Sequence, residues 1–108
     1  MTSIHHLSAV ELAALIAKKE MSPLELIEAT LARMEAVNPV LNAFVAFRPE
    51  AALAEARAVT EAIANGKSVG PLAGIPLGVK DLEDVAGMVT SYGSIPFKDH
   101  TAGCDSIQ

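Results

Sequence analysis

Lys80 is the residue with the most chemistry to offer. It closes the run Ile75-Pro76-Leu77-Gly78-Val79-Lys80, in which apolar residues alternate with proline, glycine and lysine. Ile75, Leu77 and Val79 then share one face, which predicts a buried strand over 75–80. Lys80 stands at its carboxyl end, where Gly78 and Pro76 leave space beside it. Ligands of open α/β sheets sit outside the carboxyl ends of the strands. A lysine there can serve as a base or bind phosphate. The competing reading is structural: Lys80 pairs with Asp81, Glu83 or Asp84 and swings into water. Pattern alone favours that second reading.

The other reactive side chains form weaker sets. His5 and His6 lie near the N-terminus and His100 lies far from them, so the spacing predicts no metal site. His100 and Cys104 are four residues apart, which invites a Cys–His pair. Gly103 and the surrounding turn composition speak against one helix face for both, and incidental placement is the stronger reading. The serines after Lys80 are Ser91, Ser94 and Ser106. The first two fall in a turn-rich stretch, and Ser106 reads as a helix cap. Neither of the glycine-rich phosphate-binding patterns occurs, so nucleotide binding has no support. Gly70, Gly74 and Gly78 recur every four residues, but Pro71 and Pro76 exclude a membrane helix-packing motif.

These residues need elements to hold them. Ser8 and Glu11 form a capping box, with Leu7 and Leu12 as its staple, and predict a helix to about Lys19. Leu12, Leu15 and Ile16 occupy its inner face. The same grammar returns at Ser22-Pro23-Leu24-Glu25, with Met21 against Leu26. Leu24, Ile27, Leu31 and Met34 then make one helical stripe. Asn38-Pro39 is expected to end that helix, because a residue before proline avoids helical geometry. Asn42 to Phe47 is short, apolar and aromatic, which predicts a strand. Pro49 opens a third helix that turns Leu53, Ala56, Val59 and Ile63 inward and stops at Asn65-Gly66. Met21, Met34 and Phe44 are expected in the core. Residues 1–66 are thus mainly helical, and 67–108 form a strand and turn segment. Asp105-Ser106-Ile107-Gln108 reads as the start of a fourth helix, so the chain is expected to be a piece of a larger domain.

Composition narrows the classes of function. The chain has 108 residues, 51% hydrophobic and 19% charged, which suits one globular unit and argues against disorder. The formal charge is -5, with 8 basic and 13 acidic residues, which disfavours nucleic acid as a direct partner. There is no Trp and a single Tyr, so a base-stacking platform is also disfavoured. No apolar run reaches spanning length, and no membrane contact is expected. No basic segment followed by an apolar run opens the chain, so no signal peptide is expected. Cys104 is the single cysteine, which fits a reducing cytoplasm.

The segment Gly70-Pro71-Leu72-Ala73-Gly74-Ile75-Pro76-Leu77-Gly78-Val79-Lys80-Asp81 resembles the lysine segment of the amidase-signature family. The resemblance continues through Asp84-Val85-Ala86-Gly87 and Thr90-Ser91-Tyr92-Gly93-Ser94. It runs on into Phe97-Lys98-Asp99-His100 and Asp105-Ser106. Upstream, the Ser22-Pro23-Leu24-Glu25-Leu26 helix start and the Asn38 to Phe44 turn also resemble that family's N-terminal region.

The resemblance implies an α/β fold with a mixed central sheet covered by helices, of which this chain would supply an N-terminal helical layer and first strands. It implies amide hydrolysis by a Ser–cis-Ser–Lys triad, without metal or cofactor. Lys80 matches the catalytic lysine, and a small-molecule amide is the implied substrate. In that scheme the lysine draws a proton from the nucleophilic serine through a bridging serine. The nucleophile attacks the amide carbonyl, and backbone amides steady the oxyanion. A lysine that works as a base near pH 7 must lose about 3 pKa units, which disfavours its ammonium by roughly 4 kcal/mol. The family's two serines lie in a Gly/Ser-rich segment that residues 1–108 do not contain. The chain alone is therefore expected to be inactive. The alternative function is a non-catalytic helical module that binds a partner chain, and a homo-oligomer stays open.

Overall fold

A computed structural model describes residues 3–107. It divides into two compact units, Met1–Pro76 and Leu77–Gln108.

The first unit is built from three helices: α1 (Ala9–Ala17), α2 (Pro23–Leu41) and α3 (Pro49–Ala64). Both expected capping boxes form. Glu11 N–H donates to Ser8 Oγ at 3.2 Å, and Ser8 N–H donates back to Glu11 at 2.7 Å. The pair Ser22 and Glu25 repeats this at 3.1 and 2.8 Å. Each box satisfies two amides that a helix start leaves without partners, a gain of about 1 kcal/mol.

The helix ends share one device. At α3, Gly66 takes φ of +72°, Lys67 N–H reaches the Ala62 carbonyl and Gly66 N–H the Ile63 carbonyl. That is the left-handed stop expected at Asn65-Gly66. At α1 the same two bonds form from Glu20 to Leu15 and from Lys19 to Ile16. There Lys19 holds the left-handed position, with φ of +61°. That conformation costs a lysine roughly 1–2 kcal/mol, which glycine would avoid.

Leu12, Ile16 and Leu26 form the core of this unit, with Ile4, Leu7, Met21, Ile63 and Ile75 packed around them. Full burial of a leucine stabilises by about 1.5–3 kcal/mol. Ala56 is buried, and Leu53, Val59 and Ile63 are half-buried, as the α3 periodicity requires. The α2 stripe of Leu24, Ile27, Leu31 and Met34 is half-buried, and α2 packs along α3. Thr60 of α3 ties the two together. Its Oγ1 accepts from Leu24 N–H at 3.2 Å and donates to the Ala56 carbonyl at 2.7 Å.

Several expectations are corrected. Helix α2 does not stop at Asn38 but continues through Pro39 to Leu41. Asn38 explains the continuation: its side chain accepts from Phe44 N–H at 2.9 Å and donates to the Phe44 carbonyl at 3.0 Å. The helix can then close at Asn42, left-handed with φ of +49°. Glu35 and Pro39 are exposed, so water can serve the carbonyl that Pro39 cannot. Residues 42–48 form no strand, and Phe44 is exposed rather than core. Residues 75–80 form no strand either, and Leu77 and Val79 are exposed. The reason is common to both: a strand needs an edge to bond with, and neither finds one among the described residues. The α/β expectation with its first strands is therefore not met; the described residues are helical, with one isolated antiparallel bridge, Val89 to Thr101. The expected fourth helix is absent over 105–107, and Gln108 lies outside the described residues.

The loop before residue 76 is pressed onto α2. A Cβ added at Gly74, where φ is +84°, would stand 2.6 Å from Pro23 Cγ. Pro23 is fully buried and its ring cannot turn away. Gly74→Ala is expected to destabilise the protein by about 2 kcal/mol in urea melts. Gly70→Ala, where a new methyl meets nothing within 4 Å, should be neutral or stabilise by up to about 1 kcal/mol. Equal losses at both positions would contradict the Gly74–Pro23 contact.

Candidate active-site segment around Lys80

The second unit has almost no regular structure to satisfy its backbone. Besides a single 3-10 turn at Ile95–Phe97, it relies on turns and on the bridge between Val89 and Thr101. Around that bridge Thr90 N–H donates to the His100 carbonyl at 2.9 Å, and Ala102 N–H donates to the Met88 carbonyl at 3.0 Å. Thr90 and Ala102 are buried there.

Carboxylates supply much of the remaining bonding. Asp81 accepts from Ser91 twice: the amide at 2.8 Å on Oδ1 and the hydroxyl on Oδ2. Gly93 N–H donates to Ser91 Oγ at 3.3 Å. Asp84 Oδ1 accepts from the Tyr92 hydroxyl at 2.9 Å. The backbone of Asp84 exchanges two bonds with Ser106, to its Oγ at 2.8 Å and from its amide at 2.9 Å. Asp105 accepts from Ala86 N–H at 2.8 Å. Ser106, expected to cap a helix, instead closes this loop.

These bonds change how the groups titrate. The Ser91 hydroxyl, then the Ser91 amide, hold the Asp81 carboxyl below its ordinary value. Asp84 accepts from the Tyr92 phenol and raises its pKa, with burial and the charges of Asp84, Asp81 and Glu83 adding to the effect.

Lys80 lies at the start of this network and is exposed. Its carbonyl accepts from Glu83 N–H at 3.0 Å, which makes a turn directly after it. Asp81 and Asp84, two of the three carboxylates expected to pair with it, face Ser91 and Tyr92 instead. Arg48 and Glu55 form an ion pair in the first unit. Ser91 and Ser106 belong to the aspartate network and not to the lysine. Sequence reasoning missed that network. Its signal was faint: aspartates among glycine-rich turns, where they accept backbone amides.

The remaining candidates separate. His100 packs in an aromatic trio, edge-on to Phe97 with centroids 6.1 Å apart, while Tyr92 and Phe97 are edge-on at 5.5 Å. Cys104 is exposed and free. Among the described residues no group of three or more His, Cys, Asp or Glu is placed to hold a metal ion. An open concavity of about 410 Å3 in the first unit is lined by residues that include Ile16, Ile63, Val69 and Pro71. Its lining includes Lys19 and Lys67 but no serine, histidine or carboxylate, so it holds no hydroxyl nucleophile with a base beside it. Among the described residues no helix is long and apolar enough to cross a membrane.

Comparison with known proteins defines the class. Residues 25–108 match the family model described as Amidase. The chain belongs to that family, the amidase-signature enzymes. It is 44% identical over 94 residues to the A subunit of glutamyl-tRNA(Gln) amidotransferase from Chloroflexus aurantiacus, covering 87% of this chain and 19% of that protein. It is 40% identical over 105 residues to an acylamidase of Rhodococcus erythropolis, covering 97% and 22%. Among solved structures, a bacterial aryl acylamidase of the amidase-signature family superposes with a TM-score of 0.84 at 36% identity, covering 93% of this chain and 21% of that one. A crystal structure of an amidase gives a TM-score of 0.73 at 40% identity, over 78% and 19%. The chain spans about a fifth of the length of the curated relatives it matches.

The Ser91 hydroxyl is the main cause of the acidic Asp81, so Ser91→Ala is expected to move the Asp81 titration upward toward the ordinary range. The sign for stability follows. A lowered folded pKa stabilises above the unfolded value of about 3.9 and loses that contribution as pH falls through the folded value. Ser91→Ala should therefore narrow the stability difference between pH 6 and pH 2. Carboxyl NMR titration with acid melts checks both; an unchanged Asp81 midpoint would contradict the pairing.

Proposed function

We propose that the complete protein hydrolyses linear carboxylic amides in the cytoplasm, and that this chain supplies Lys80 as the base of a Ser–cis-Ser–Lys triad. The observation that carries this reading is the place of Lys80 in the run Gly70 to Asp81 of a chain that matches the Amidase family model. In a chain of the amidase-signature family, Lys80 is exposed at the head of a turn, and Asp81 and Asp84 are bonded elsewhere. The two serines would come from outside residues 1–108.

In the complete protein, the run 75–80 would gain ladder partners and join a mixed sheet, with helices covering the exposed Leu77 and Val79. Burial of that kind disfavours an ammonium, which is the condition a lysine base needs. The substrate would be a small-molecule amide. The acyl group would pass to a serine with loss of ammonia or amine, and water would release the acid. No metal or cofactor takes part in this scheme. The alternative of a helical interaction module draws less support, because α1 and α2 place Leu12, Ile16 and Leu26 in one shared core.

In the complete enzyme, Lys80→Ala should lower turnover by about 1,000-fold or more while the cooperative melt stays in place. A variant that keeps activity per folded molecule but loses its melt would make Lys80 structural. The 108-residue chain by itself should release no ammonia from simple amides beyond its own Lys80→Ala control, since a base without a nucleophile does not turn over. Lysine-dependent ammonia release from the chain alone would refute the division of the triad.

A further inference from the structure

We propose that Asp81 is a positioning residue for Lys80, one that fixes the main chain carrying the lysine by clasping Ser91 with both carboxylate oxygens. The proposal rests on the reading of Lys80 as the catalytic base.

The geometry is specific. Asp81 directly follows Lys80, so its Cα lies about 3.8 Å from that of the lysine. Oδ1 takes the Ser91 amide at 2.8 Å and Oδ2 takes the Ser91 hydroxyl, so the carboxylate holds one residue through two directions. Such two-point contacts restrict orientation as well as distance. The residue it grips is itself held. Ser91 Oγ accepts from Gly93 N–H, and the turn there carries two left-handed residues, Tyr92 at φ of +54° and Gly93 at +67°. Tyr92 is bonded through its hydroxyl to Asp84 and packs on Phe97. Thr90, on the other side of Ser91, is buried and bonded to the His100 carbonyl.

The contrast is with the segment before the lysine. Among the described residues, no amide from Leu77 to Lys80 donates to a backbone carbonyl. After it, the Glu83 amide holds the Lys80 carbonyl at 3.0 Å. The clasp and this turn are therefore the local anchors of the lysine's backbone. The described hydrogen bonds of the Asp81 carboxylate go to Ser91 and not to the lysine. A base displaced by a fraction of an ångström loses its line to the proton it must take.

The test compares Asp81→Ala, Asp81→Asn, Ser91→Ala and Lys80→Ala in the complete enzyme, with an amide substrate that the parent turns over. Asn keeps an oxygen for the Ser91 amide and an NH2 that can donate to the Ser91 hydroxyl oxygen, but it removes the charge. For a positioning role, Asp81→Ala lowers kcat by about 100-fold with KM little changed. The acid limb of the pH profile stays in place, and Asp81→Asn recovers most of the loss. Ser91→Ala, which keeps the amide contact, falls between the parent and Asp81→Ala when all are assayed well below their melting temperatures. A limb that moves to lower pH, with Asn as poor as Ala, would show that the carboxylate acts through its charge and would overturn the proposal. So would an Asp81→Ala enzyme within twofold of the parent while Lys80→Ala is inactive. Full activity in Lys80→Ala marks the separate failure of the base reading, and the positioning role falls with it. Should Asp81→Ala not fold, Asp81→Asn and Ser91→Ala decide by the same kcat and pH readouts.

Discussion

A segment with neither helix nor ladder must still satisfy its backbone amides, because an unpaired amide removed from water costs as much as a lost hydrogen bond. Residues 77–107 meet this constraint mostly with turn and bridge bonds of their own backbone, and carboxylates add the longer ties. Asp81, Asp84 and Asp105 accept from Ser91, Tyr92 and Ala86, and Ser106 closes the loop on Asp84. The partners are 8 to 22 residues apart, so each bond folds a stretch of chain and not just a turn. The aromatic contacts of Tyr92, Phe97 and His100 and the burial of Thr90 depend on the loop that these bonds draw together. The position of the Lys80 backbone depends on it as well.

The first unit is organised differently. Two capping boxes begin α1 and α2, and two left-handed stops end α1 and α3, so helix boundaries are set by residues within one turn of them. The helices then bury a small shared core at Leu12, Ile16 and Leu26. Thr60 gives the Leu24 amide, in the first turn of α2, the acceptor that it lacks within the helix. The approach of Gly74 to Pro23 and the packing of Ile75 bring the chain that precedes the lysine onto this core. Lys80 comes five residues after Ile75 in the sequence, in the second unit.

What could be read in the sequence divides along the same line. Helix starts were legible because Ser8 with Glu11 and Ser22 with Glu25 are local signals. The α3 stop was legible because Asn65-Gly66 favours one left-handed conformation. The end of α2 was not, because Asn38 is rescued by Phe44, six residues on, and no rule about a residue before proline contains that bond. The strands at 42–47 and 75–80 were misplaced because apolar alternation states a face and not a partner. Asp81 and Asp84 were read as neighbours of Lys80 by sequence distance, whereas Ser91 and Tyr92 claim them. Family membership was legible in the ordered run from Gly70 to Asp81, and it is this run that singles Lys80 out among the 8 basic residues.

The central claim is that Lys80 activates a serine that lies outside these 108 residues. A fluorophosphonate probe tests it directly in the complete protein: the attacking oxygen forms a bond to phosphorus and fluoride leaves. Peptide mapping by mass spectrometry then identifies the labelled residue, and the labelling rate is compared between the parent and Lys80→Ala. The account predicts one labelled serine beyond residue 108 and a labelling rate that collapses in Lys80→Ala. Label on Ser91, Ser94 or Ser106, or a rate indifferent to Lys80, would contradict it.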